Sequence, residues 1–188
     1  MRCVALSGRA GNLCWLVLLG YLITGCAAPA ALRLGLKLSP ASLGESISLQ
    51  QRLTVQRDGR IDQLDAALEV DEQSVHLIIL MLGQRMLSLV FDGQAVETWR
   101  HPAVPAQLRA EDVLEDLQLT LWPADAIRSA LPAQWHIEER GLRRVLWFDT
   151  APVIVIDYGG PLRWGSSVEL TNLRYGYRIT IESVTNPS

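Results

Sequence analysis

From Ile47 onward the chain alternates apolar and polar residues with a period of two, and this restricts its fold more than any other feature. Ile47, Leu49, Leu53 and Val55 fall on one side, with Ser48, Gln50, Arg52 and Gln56 on the other. Successive side chains of a strand point to opposite faces, so the pattern predicts a half-buried strand. Arg57-Asp58-Gly59 reverses the chain, and Leu64, Ala66, Leu68 and Val70 resume the alternation against Gln63, Asp65 and Glu69. An Asp-Gly pair between two alternating runs predicts a β-hairpin. Val75 to Leu82 and Met86 to Phe91 are then apolar at nearly every position, with a tight joint at Gly83-Gln84. Runs of this kind predict strands with no wet face. Ala95 to Trp99 supplies a fifth strand, and five strands on short turns make an antiparallel meander.

The strand pattern stops at His101 to Pro105. Leu108, Val113, Leu114, Leu117 and Leu121 then recur at helical spacing, with Glu111, Asp112, Glu115 and Asp116 filling the opposite face as solvated charges. Pro123 ends this helix and can open a second, in which Ala124, Ile127, Ala130 and Leu131 form a short apolar stripe. Strands return at Gln134 to Glu139, Leu142 to Phe148, Val153 to Tyr158, Val168 to Leu173 and Tyr175 to Ser183. The expected fold is mainly β with a helical insert near 106–132: a curved antiparallel sheet or incomplete β-barrel under a helical lid.

Ahead of this body stands a different kind of segment. Arg2 and Arg9 precede the apolar run Leu13 to Ile23, which ends in Thr24-Gly25-Cys26. A positive start, a short apolar run and small residues before a cysteine form the layout of a cleaved lipoprotein export signal. The run has about half of the roughly 20 residues that a spanning helix needs. Residues 1–25 are thus expected to be a signal peptide and 26–44 a lipidated N-terminus and tether. Cys26 would carry diacylglyceryl and N-acyl lipid as the first mature residue. Cys3 and Cys14 would leave with the signal, so lipidation also accounts for the single cysteine left in an exported chain. Ala27 follows Cys26 where inner-membrane retention would favour aspartate, which points to the outer membrane, periplasm-facing and lipid-anchored. In the tether Leu32, Leu34, Leu36 and Leu38 alternate with Arg33, Gly35 and Lys37, the pattern of an edge strand or of a segment near lipid headgroups. The body 45–188 is expected to form one domain.

The formal net charge of −3 falls to −5 without Arg2 and Arg9, and disfavours a nucleic-acid partner. No enzymatic pattern emerges and no catalytic residue is assigned. Gly165-Ser166-Ser167-Val168-Glu169 lacks the second glycine of a nucleophile elbow. His76, His101 and His136 lie in unrelated segments without metal-ligand spacing, and Asp71 with Glu72, or Asp112 with Asp116, read as turn and helix-surface charges. Neither a metal nor a further cofactor is expected. What stands out is the apolar excess of Val75 to Phe91 beside five tryptophans after residue 26. It fits either a filled two-layer core or a half-barrel whose concave side is a lipid-sized pocket. The candidate cavity or lid residues are Leu77, Ile79, Leu87, Leu89, Leu114, Leu117, Trp122 and Ile127.

Two longer stretches carry a resemblance. Leu114-Glu115-Asp116-Leu117-Gln118-Leu119-Thr120-Leu121-Trp122-Pro123 with Ile127-Arg128, and the closing Leu173-Arg174-Tyr175-Gly176-Tyr177-Arg178-Ile179, resemble a family of small bacterial lipoproteins of unknown function often encoded beside aryl polyene biosynthesis genes. The layout is also similar to that of the lipoprotein-localisation factors LolA and LolB. That likeness implies an incomplete antiparallel barrel, lidded by helices, whose apolar cavity holds acyl chains. Leu82-Gly83 matches the protruding apolar loop of the outer-membrane receptor, which makes Leu82 a candidate for membrane insertion. Trp122-Pro123 with Ile127-Arg128 matches the helix junction of the lid. The implied function is a non-enzymatic carrier of a hydrophobic, acyl-bearing cargo (lipid, lipoprotein or aryl polyene lipid), with the outer membrane and a periplasmic LolA-like carrier as candidate partners. The alternative is a structural or assembly subunit of an envelope export system.

Overall fold

The computed structural model describes residues 33–105 and 108–185. The signal segment and Cys26 therefore lie outside the described residues. The ten strands, numbered in chain order, are β1 (Ile47–Arg57), β2 (Arg60–Val70), β3 (Val75–Met81), β4 (Gln84–Phe91), β5 (Val96–Arg100), β6 (Trp135–Arg140), β7 (Arg143–Phe148), β8 (Ala151–Tyr158), β9 (Val168–Asn172) and β10 (Tyr177–Thr185). Two helices, α1 (Ala110–Leu121) and α2 (Ala124–Ala130), stand between β5 and β6. All strands join one antiparallel sheet in the order β5-β4-β3-β2-β1-β10-β9-β8-β7-β6. β1 and β10 pair at its centre, Leu53 opposite Ile181, so the first and last strands close the middle. β5 and β6 are its two edges, and the sheet stays open.

The alternation read from the sequence decides which face is inside. Leu49, Leu68, Leu77 and Leu89 stand in register across β1 to β4 and are each buried. In the other half Leu146 stands opposite Ile154 and Ile156 opposite Leu170, and all four are buried. Curvature follows from geometry. A strap of residues 34–43 and helix α1 lie side by side on the inner face. They touch Gln94 beyond β4 on one side and Arg144 of β7 on the other. In a flat sheet those strands would be about 34 Å apart, far more than a helix and one extended chain can bridge. Irregular pairing at Ile79/Leu80 and at Leu146/Trp147 supplies bends where a bulge allows them.

Several expectations need correction. The β3–β4 turn is centred on Leu82-Gly83, not on Gly83-Gln84, because Met81 pairs with Gln84. Both turn residues have positive φ, as do Asp58 and Gly59 in the first hairpin. The primed turn fits the twist of its strands, but Asp-Gly suits it and Leu-Gly does not. β3 and β4 do have a wetter face: His76 and Ile78 are exposed, and Leu80, Met86, Ser88 and Val90 are half-buried. Leu108 precedes α1 and is exposed instead of joining its apolar stripe. Residues 34–43 are not a loose tether but part of the folded unit, with Leu36, Leu38 and Leu43 buried. Each such leucine contributes about 1.5 to 3 kcal/mol on burial, which outweighs the lack of strand or helix ladders in the extended part. No helix among the described residues is long and apolar enough to cross a membrane.

Candidate functional site

Helix α1 was expected to show acids to water. Instead Glu115 and Asp116 are buried, together with Gln118 and Thr120. The helix has the sheet on one side and the strap on another, so more than one of its faces is covered, and each buried polar group is matched. Glu115 forms an ion pair with Arg174 of the β9–β10 turn at 2.6 Å, both side chains almost fully buried. Its other oxygen accepts the backbone N–H of Gly35 at 2.8 Å. Gln118 grips Leu38 with two bonds of 2.9 Å, accepting its N–H and donating to its carbonyl, as a neighbouring strand would. Trp122 donates its indole N–H to Ser42 Oγ at 3.0 Å, so the strap is held along the length of the helix.

Asp116 accepts the hydroxyl proton of Tyr177. Asn172 donates to that hydroxyl at 3.0 Å. Burial is the largest cause that pushes the Asp116 carboxyl up, to about 7, against the opposing Tyr177 hydrogen bond. Burial, with the neighbouring Asp116 charge, also raises the Tyr177 phenol well above its usual range. At the far end of α1, Arg144 donates to the carbonyls of Leu119 and Trp122 and pairs with Glu139. Tyr158 donates to Thr120 O at 2.7 Å. A cation and a hydroxyl thus satisfy carbonyls that a helix C-terminus leaves open. These groups weld the helix to the sheet. No metal-binding cluster of His, Cys, Asp or Glu exists among the described residues.

The candidate cavity residues all lie on or against the inner face. Leu77, Ile79, Leu87, Leu89, Leu114, Trp122 and Ile127 are buried, five of them at 1 % exposure or less, while Leu117 is half-buried. Space under the helices is therefore filled by close packing at these positions. The opening lies beside them. On the same inner face, Leu53 pairs with Leu64 and Ile181, and Val55 pairs with Ile179. All five residues are half-buried, and they form an apolar patch on β2, β1 and β10, bounded on β2 by the half-buried Asp62 opposite Val55. Periodicity placed Leu53, Val55, Leu64, Ile179 and Ile181 on an apolar face but could not tell that they are only half-covered.

A cleft of about 680 Å³ sits elsewhere, lined by Glu45, Ser48, Glu69, Asp71, His76 and Trp164 among others. Its polar lining does not suit an acyl chain. Leu82 is 99 % exposed at the β3–β4 turn, with φ of 51°. It is not the buried hairpin residue that an apolar turn residue more often becomes.

The model of a family described as protein of unknown function (DUF3261) matches residues 48–185. That span runs from β1 to the end of β10 and leaves out the strap. No curated protein matches the chain.

Proposed function

The chain belongs to the DUF3261 family, and from that premise we propose that it is a non-enzymatic outer-membrane lipoprotein. It binds or passes on a hydrophobic, acyl-bearing cargo at the periplasmic face. The observation that carries this reading is the patch of Leu53, Val55, Leu64, Ile179 and Ile181: apolar, inward-facing and half-covered beside the fully buried rows of Leu49, Leu68, Leu77 and Leu89. Contiguous apolar surface left open in a folded domain marks an interaction site. An acyl chain needs such a surface, with the Asp62 carboxylate at its rim rather than within it. Cys26 carries the anchoring lipid in this reading, and Leu82 enters the bilayer. The likeness to LolA and LolB in layout, the link to aryl polyene lipids and a LolA-like partner belong to the same proposal.

A structural or assembly role is the second reading, and the dense packing of Leu114, Trp122 and Ile127 favours it. Two measurements separate the readings. Native mass spectrometry of the unlipidated body should show co-purified lipid, and a fluorescent fatty acid or polyene probe should bind and be weakened by Leu53→Ser or Ile181→Ser. If no lipid accompanies the protein and no probe binds, the structural reading replaces the carrier. Metabolic labelling with a fatty acid tests the anchor, and equal labelling of Cys26→Ala removes that part of the proposal.

A further inference from the structure

A sheet that stays open has two edges, and here they are finished differently. At β6, α2 packs against the strand, and the N–H of Trp135, which points away from β7, is taken by Pro132 O at 2.8 Å. At β5, Glu97, Thr98, Trp99 and Arg100 are all exposed and Val96 is half-buried. The bonds from His101 N to Met86 O and from Asp92 N to Ala95 O fix the phase of the β4–β5 ladder. Hydrogen-bonded pairs recur at every second residue, so Glu97 and Trp99 turn their backbone groups to Val90 and Ser88. The N–H and C=O of Val96 and Thr98 therefore face outward, a template for another strand. Charges on the outer face of the sheet pair across neighbouring strands elsewhere: Arg52 with Asp65, Arg143 with Asp157 and Arg178 with Glu169. Glu97 and Arg85 have no partner of opposite charge among the described residues. Arg85 lies instead over the ring of Trp99, 4.0 Å from its centroid, and Trp99 is 41 % exposed.

We infer that the open edge of β5 pairs with β5 of a second copy of this chain, antiparallel and centred on Thr98, to give a two-fold symmetric dimer with one continuous sheet. Outward backbone groups must meet outward groups, so the two-fold axis can pass beside Glu97, Thr98 or Trp99. Centred on Glu97, the pairing sets two carboxylates directly opposite each other, which is destabilising. Centred on Trp99, it brings two Arg85 cations together over the facing rings and sets Val96 opposite Pro102, which has no N–H to give. Centred on Thr98, it sets Glu97 of each copy opposite Trp99 of the other. The carboxylate then meets the Arg85 that lies on that ring, and symmetry makes this contact twice. A five-residue ladder is short, so the dimer belongs to the weak, concentration-dependent class. Pairing through β5 is independent of the proposed cargo and anchor.

The test uses the chain from residue 26 with Cys26→Ser, which retains the folded unit Leu34–Ser188. Sedimentation at concentrations up to about 1 mM should show a reversible monomer–dimer equilibrium. Glu97→Arg and Arg85→Glu should each weaken the dimer about tenfold or more, because symmetry counts each change twice, and the double variant should restore it. The two residues do not pair within one copy, so restoration reports the contact between copies. Thr98→Cys should give a disulfide-linked dimer on mild oxidation, since hydrogen-bonded partners across such a ladder have Cα atoms about 5.5 Å apart, within disulfide range. Gln50→Cys, exposed on the central strand β1, should not. A monomer throughout, which would leave the edge to a strand of a different protein, overturns the inference. Equal trapping at residues 50 and 98, a dimer indifferent to both charge reversals, or a double variant that stays monomeric overturns it as well.

Discussion

Leu49 and Leu53 lie four residues apart on the same face of β1, yet Leu49 is 1 % exposed and Leu53 only half-buried. Leu49 stands in a row with Leu68, Leu77 and Leu89 that is buried throughout. Around Leu53 the neighbours Leu64, Ile181 and Ile179 are, like it, only half-buried. The two regions use the same residue types. They differ in how completely the same inner face is covered over them. A closed apolar region supplies stability, while a half-open one forgoes part of it and stays available to an apolar ligand.

The sharpest way to break this comparison is to cut a weld. Arg174→Ala leaves Glu115 charged, buried and unpaired, and should cost about 3 to 5 kcal/mol, read from denaturant unfolding. A loss below about 1 kcal/mol would mean that the helix does not depend on the pair. Next come the packed residues, where Leu114→Ala and Leu119→Ala should each cost about 2 to 5 kcal/mol by the same measurement. On the open patch, Leu53→Ala and Ile179→Ala should cost about 1 kcal/mol or less than half of the packed values, while altering probe binding. Equal losses in both regions would erase the distinction.

A further test concerns pH. Asp116 is held up at about 7 in the folded chain, above its ordinary 3.8. The folded state therefore binds this proton more tightly than the unfolded one, and stability from this group is complete below about pH 4 and is lost as pH rises through about 7. Asp116→Asn should flatten that part of the profile between about pH 5 and pH 8. Parallel profiles for the two proteins would show that the carboxyl stays ionised. The smallest effect is expected at Leu82, whose positive φ is costly for a branched side chain. Leu82→Asn should raise stability by a few tenths of a kcal/mol up to about 1, and a loss instead would reveal a packing role for this exposed leucine.

Much of the sheet was legible because a strand writes its burial into the chain at a period of two. Asp58-Gly59 marked the first hairpin, and Pro123 marked the break between the helices. The site was less legible. Glu115 and Asp116 looked like solvated acids because Arg174 and Tyr177 lie 59 and 61 residues away, and nothing local announces a distant partner. The strap is hard to read for a similar reason: Leu36 and Leu38 alternate as in a strand, but Leu38 bonds a helix 80 residues on. Leu82-Gly83 was placed one residue late, since Leu is a poor signal for a position that requires positive φ.

By itself the sequence determined that ten apolar or alternating segments would seek a common sheet and that two short helices would interrupt it. Side-chain period and turn chemistry are local properties and need no knowledge of neighbours. Only the tertiary structure decided which polar groups could be buried and where the second layer ends. It left Leu53 half-open and Leu49 closed because burial depends on which distant residues arrive to satisfy charges and fill space.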